Sequence, residues 1–299
     1  MTTDPVERAM VLARTHDAVT NGGRAPMAPR NLVPQSWTRP SDTRVGPDPE
    51  QAEIADMRGA HPLAPAMALL RETLLGIADA ARHTMTVTDE HGRILWRDRR
   101  RDVLRRGDRA GLAEGTRWSE ATVGTDAMGT APVVTIRSAE HLVRSVHCWT
   151  SAAAPIHDPE DGQLIGVVDV TGPVTSPHPA TLALVAAAAR LAENHLATLV
   201  AARDERLRAR NLAHLTRLRD EPGALLTPHG KVLAAHPAGW LPDRVDLPDP
   251  PGRSLSLGEQ GDAVLEPLTE GWLLRLRRPT ARPPGCTAEG AADPRSRSG

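Results

Sequence analysis

Between Ala180 and Glu221 the chain carries no glycine and no proline. Within that run Leu182, Val185, Ala189, Ala192, Leu196 and Leu199 recur at steps of three and four, the seam spacing of a packed helix. A helix this long divides the sequence. Before it, "MTVTDEHGRILWRD" reads as strand, turn, strand, with Asp89 and Gly92 in the turn and Met85, Val87, Ile94 and Trp96 as the apolar members. "APVVTIRS", "HLVRSVHCWTSAAAPI" and "QLIGVVDVTG" add further strands. "LAPAMALLRETLLGIADAARH" presents Met67, Leu70, Leu74, Ile77 and Ala81 on one helix face. Hairpin-joined strands with a helix at each end predict an α+β domain, an antiparallel sheet of about six strands with helices over one face.

Around this domain, over residues 61–205, the expected order is a helical and irregular arm (1–60), a basic helical linker (206–221), a small β-rich module (222–279) and a disordered tail (280–299). The core of such a chain has an unusual inventory: six tryptophans, no phenylalanine and no tyrosine. Leucine, valine and alanine must fill most of it, with the tryptophans as large anchors. The formal net charge of -1 gives no global attraction to nucleic acid. Cys148 and Cys286 lie far apart, which argues against a disulfide framework and for a reducing compartment. No apolar run is long enough to span a bilayer, and "MTTDPVERAM" lacks a signal-peptide pattern, so the expected location is the cytoplasm.

Four features invite a chemical reading. "WSEATVGTDAMGTAPV", Trp118 to Val133, has two Gly-Thr pairs, but it fits neither a Walker loop, which needs a lysine, nor a dinucleotide fingerprint, which needs three glycines. Thr122 or Thr125 capping a short helix that Gly129 ends explains it better. Glu140, His141, His147 and Cys148 match no metal spacing; on an extended strand His141 and His147 would lie about 20 Å apart. Cys148 is adjacent to His147, so the two point to opposite faces of a strand and make no nucleophile–base pair. Asp169 shares a strand face with Ile165 and Val167, where a carboxylate must find hydrogen-bond donors, either lining a pocket or bonding a neighbouring loop. No catalytic residue, metal or cofactor is assigned.

Taken in order, "GTRWSEATVGTDAMGTAPV", "AEHL" and "WTSAAAPIHDPEDGQLIGVVDVTG" resemble the GAF domain of bacterial regulators. The likeness is to transcriptional activators of acetoin and glycerol (dihydroxyacetone) metabolism and their actinobacterial relatives, and "LVPQSWTRP…VGPDPE" resembles the segment that precedes that domain. It covers about residues 30 to 205. The resemblance implies a sensory domain with a pocket over one sheet face, closed by helices and loops. On that basis Trp118, Thr125, Asp126, Met128, Trp149 and Asp169 are the expected pocket residues. An unknown small molecule is the expected effector, and a homodimer through the Leu182–Leu199 seam is the expected assembly, with packing of that seam against its own sheet an alternative that does not exclude it. The chain departs from the acetoin class in lacking a Walker loop and a helix-turn-helix. Two other readings stand beside the sensory one: direct DNA binding through Arg206, Arg208 and Arg210 of an arginine-rich helix, or through an output domain lost from this chain, and an enzyme using Cys148, His147 or Asp169.

Overall fold

A strand reading Thr-Met-Thr-Val-Thr sends its two apolar side chains to one side and its threonines to the other, an alternation that normally marks one wet face. In the computed structural model every residue of this strand is buried, so both faces of the sheet are covered. The structure describes residues 5–20, 51–80, 83–98, 112–118, 133–137, 140–141, 147–174, 180–218, 221–248 and 252–277. The chain divides into two units, Met1–Val200 and Ala201–Gly299.

The first unit contains helices α1 (Pro5–Thr20), α2 (Gln51–Ala60) and α3 (Met67–Ala80), and strands β1 (Thr84–Thr88), β2 (Ile94–Asp98), β3 (Val134–Arg137), β4 (Trp149–His157) and β5 (Leu164–Pro173). Helix α4 (Thr181–Arg217) follows. The strands form one antiparallel sheet in the order β2-β1-β5-β4-β3. Segment 112–118 runs beside β2 through an Arg93–Arg117 bridge and lengthens that edge.

One face of the sheet packs on helices. Met85, Val87, Ala152, Ala154, Val168 and Val170 meet Met67, Leu70 and Leu74 of α3 and Val185, Ala189 and Ala192 of α4 in a single buried cluster. The helix seam read from sequence is thus satisfied inside its own domain. Leu182 packs against the same cluster, Leu196 is 7% exposed, and of the six only Leu199, at 40%, faces outward. Val185, Ala189 and Ala192 are core residues, the packing on its own sheet that the same spacing allows beside a partner chain. Ile77 and Ala81 of the α3 pattern have side chains outside the described residues. Close approach of β5 to β1 requires Gly166, where a Cβ would lie 2.2 Å from the Thr88 carbonyl oxygen and 2.7 Å from a Leu63 methyl.

The second unit has strands β6 (Gly223–Leu226), β7 (Val232–His236), β8 (Ser254–Ser256), β9 (Asp262–Leu268) and β10 (Gly271–Leu276). Their order, β7-β6-β10-β9-β8, repeats that of the first sheet. Leu225 and Leu273 on one face pack with Leu215. Ala224, Leu226 and Leu274 on the other pack with Val245, Ala263 and Leu265, flanked by Trp240 and Trp272. Leu207 is 2% exposed and Asp204, 6% exposed, accepts from Lys231 Nζ at 3.0 Å and Arg203 Nη2 at 3.1 Å. The stretch read from sequence as a basic linker therefore supplies core residues to this unit.

Candidate ligand-binding site

The sheet face opposite the helices is built from strand register. Thr86 on β1 pairs with Asp169 on β5, which pairs with Ala153 on β4; one rank along, Thr84 pairs with Thr171, and Thr171 with Ser151. Side chains of each rank share a face because successive residues alternate. The result is a strip of small polar groups across three strands, all 3% exposed or less. Apolar groups bound it. Val134, Ile136, Ala153 and Val167 cluster on the β3 side. Ile94, Leu112, Trp118 and Trp149 form a second cluster.

Burying polar atoms is costly unless they are paired, and here the pairing has a direction. Thr86 donates to Asp169 Oδ2 at 3.3 Å and Thr171 donates to the same oxygen at 2.5 Å. Ser151 Oγ lies 2.7 Å from Thr171 Oγ1. A carboxylate only accepts, so the single Thr171 proton goes to Asp169 and Ser151 must donate to Thr171. Asp169 is thus served by side-chain hydroxyls of neighbouring strands. Thr88, fully buried on the same face, differs: its hydroxyl has no hydrogen-bond partner.

Segment 112–118 lies over this face. Ile94 on β2 and Trp149 on β4 stand three strands apart, yet Leu112 and Trp118 join them in one cluster, so the segment reaches across β1 and β5. Backbone bonds hold it, with Gly115 donating to the Ile94 carbonyl, Ile94 to that of Thr116 and Trp118 to that of Gly92. Three arginines add to the clamp. Arg58 pairs with Glu114 at 2.6 Å and bonds the Leu95 carbonyl, Arg93 donates to the Gly115 carbonyl at 3.0 Å, and Arg97 bonds the Leu112 carbonyl.

Trp118, Trp149 and Asp169, expected in a pocket from sequence, all lie buried on this one face. Thr125, Asp126 and Met128 fall outside the described residues, as do the helix caps expected at Thr122, Thr125 and Gly129. Sequence reading missed Thr86, Thr88, Ser151, Thr171 and the arginine clamp. The Thr-x-Thr-x-Thr alternation of β1 was the available signal, but only cross-strand register places those threonines beside Asp169. Ile165, expected on the Asp169 face, packs instead in the helix-side cluster.

The histidine region departs from the extended reading. His147 Nε2 lies 2.9 Å from the His141 carbonyl oxygen, where an extended strand would hold the two residues about 20 Å apart. The His147 ring also meets His16 of α1 edge-on, centroids 4.9 Å apart. Glu140 and His141 are buried. Among the described residues no group of His, Cys, Asp and Glu is arranged to hold a metal ion. Cys148 is exposed and not part of a disulfide. Arg206, Arg208 and Arg210 are exposed on α4, which continues unbroken through them, so no helix-turn-helix is formed there. Among the described residues no helix is long and apolar enough to cross a membrane.

Comparison with known proteins places this arrangement. The family described as MimR, N-terminal domain, matches residues 11–194. The acetoin dehydrogenase operon transcriptional activator AcoR of Bacillus subtilis is 30% identical over 81% of this chain and 41% of its own length. The propane 2-monooxygenase operon transcriptional activator MimR of Mycolicibacterium smegmatis is 29% identical over 72% of this chain and 37% of its own. The chain thus spans about two fifths of the length of these activators. Among solved structures, the E. coli DhaR(N)-DhaL complex contains a chain of similar fold, with a TM-score of 0.53 at 20% identity, covering 83% of this chain and 99% of that one. With the match extending over more than half of its residues, the chain belongs to the MimR N-terminal domain family.

Proposed function

We propose that this chain is the sensory region of a bacterial transcription regulator, and that a small molecule bound against the Asp169 face is its signal. The observation that carries the reading is a polar sheet face enclosed away from water, with the Thr88 hydroxyl buried there without a partner. Folding seldom leaves a buried polar group unused. The names of the related activators support the regulatory part.

The sheet offers a route for the signal. Thr86, Asp169 and Thr171 face the site, while their neighbours Val87, Val168 and Val170 face the cluster that contains Val185 and Ala189 of α4. A ligand that moves β1 or β5 changes the surface on which α4 packs. Such a ligand must bind one arrangement more tightly than the other. Homodimerisation is part of this proposal, now through the outward side of α4, where Leu191 and Leu199 are 44% and 40% exposed.

Native mass spectrometry of the protein purified from its own host tests both parts. A retained small molecule that is lost on unfolding supports the sensor. A bare protein whose melting temperature no metabolite in a broad library changes would refute it. A mass of twice 32.1 kDa in light scattering supports the dimer, and a stable monomer removes it.

A further inference from the structure

His61 joins three elements of the first unit. It follows α2, its side chain is 10% exposed, and its Nδ1 accepts a hydrogen bond from the Leu63 amide at 3.2 Å. A neutral imidazole that accepts at one nitrogen carries its proton on the other. That Nε2–H is buried without a hydrogen-bond partner and lies 3.8 Å from Glu90 Oε2, in the turn between β1 and β2. The separation is too long for a hydrogen bond. The ring also stands edge-on to Trp96 of β2, centroids 5.5 Å apart.

What the ring holds matters to the core. Leu63 is fully buried and opens a 3-10 turn, Ala64–Ala66, that leads into α3. Its side chain sits where β5 passes β1: a Cβ on Gly166 would meet both a Leu63 methyl and the Thr88 carbonyl oxygen.

Protonation cannot leave this arrangement intact. An imidazolium has an N–H at both nitrogens and no acceptor, so Nδ1–H would face the Leu63 N–H, donor against donor. The same charge draws Glu90, which is 46% exposed and has room to move. Asp89 adds to that pull from the same turn, its Oδ1 already engaged by the His91 and Arg93 amides. One helical turn back on α2, Arg58 is paired with Glu114 of segment 112–118 at 2.6 Å. Exposed His91 shares Glu90, with its Nε2 3.5 Å from the other carboxylate oxygen. From β2 the ring meets Trp96, and the 3-10 turn brings no titratable group.

We propose that His61 is a proton-operated latch: neutral, it fastens the Leu63 turn to the end of α2; protonated, it releases the Leu63 amide and closes on Glu90. Acid thus loosens the turn that seats Leu63 on the β1–β5 joint, an input to the sheet that is separate from any small molecule. Burial holds the pKa of the ring below the usual 6.5, so the latch is shut at neutral pH and opens as pH falls beneath that value.

Long-range proton–nitrogen NMR of the full chain, labelled at histidine, reads the tautomer, and His61→Asn identifies the signal. The Nε2–H form is expected at about pH 7.5. Amide exchange between about pH 7.5 and about pH 5, corrected for its intrinsic pH dependence, reads the latch. Leu63 should lose protection by about tenfold or more while Val168 and Val170 of β5 keep theirs. In His61→Asn the side-chain oxygen still accepts from Leu63 and does not titrate, so protection stays level. Glu90→Gln removes the charge that favours the imidazolium and should lower the midpoint by about half a pH unit or more. His91→Gln should leave the transition in place. Should His61→Asn fail to fold, the wild-type tautomer and the Glu90→Gln shift decide alone. An Nδ1–H tautomer at neutral pH, level Leu63 protection in the wild type, or equal losses at Leu63 and β5 overturns the proposal. So does a transition that persists in His61→Asn, vanishes in His91→Gln or ignores Glu90→Gln.

Discussion

Leu207 and Leu212 lie five residues apart on α4 and provide a test in which only burial differs. Leu207 is 2% exposed and in reach of the β10 start, where a Cβ on Gly271 would lie 2.7 Å from its Cδ2. Leu212 is 43% exposed. Leu→Ala at a buried site costs about 2–5 kcal/mol through lost transfer energy and the cavity left behind. At an exposed helical site the same change falls within about 0.5 kcal/mol. For a unit of this size each kcal/mol moves the melting temperature by roughly 4–8 °C, so a central value near 3 kcal/mol gives a fall of about 12–24 °C. Hydrogen exchange read on β6 and β10 amides isolates the second unit. Leu207→Ala should speed exchange there by about a hundredfold or more while leaving β1 and β5 unchanged. Equal effects of the two substitutions would refute the claim that this half of α4 is core and restore the linker reading.

Three further outcomes are expected. Gly166→Ala should destabilise the first unit by about 1–3 kcal/mol, since its Cβ meets the Thr88 carbonyl; denaturant midpoint measures it. Arg93→Ala combined with Arg97→Ala should release segment 112–118, seen as faster exchange at Gly115 and Trp118 and a red shift in tryptophan emission, with β4–β5 pairing intact. Burial lowers the pKa of His61 below its ordinary 6.5, against the opposing pull of Glu90 and Asp89, so the unfolded chain takes this proton more readily. Stability should therefore be full above about pH 6.5 and decline as pH falls below it, and His61→Gln should flatten that decline in denaturation series.

The sheet of the first unit was legible because hairpin chemistry at Asp89 and Gly92 and apolar alternation at Met85, Val87 and Val168 are local signals. Asp169 was legible as an oddity, a carboxylate in an apolar strand, but its hydroxyl partners were not. Thr86 is 83 residues away in the chain, and only strand register puts them together. The α4 seam shows a second limit. A three-four spacing says that one face is buried and is silent on whether the cover is its own sheet or another chain. The burial of Leu207 and Leu215 was hidden in 206–221 for a related reason: arginines dominate that stretch, and two leucines eight residues apart are too sparse to announce a core.

Both sheets share the order two-one-five-four-three, and this has a consequence for synthesis. The central strand of each is the last to leave the ribosome: β5 ends at Pro173 and β10 at Leu276. Until β5 arrives, β1–β2 and β3–β4 are separate two-stranded ribbons, which are marginal in water by themselves. The same holds for β6–β7 and β8–β9 before β10. Each unit therefore stays open until its final strand is made and then closes around it in one event, and a nascent chain stalled just before either strand would present two unpaired edges to the cell's quality control.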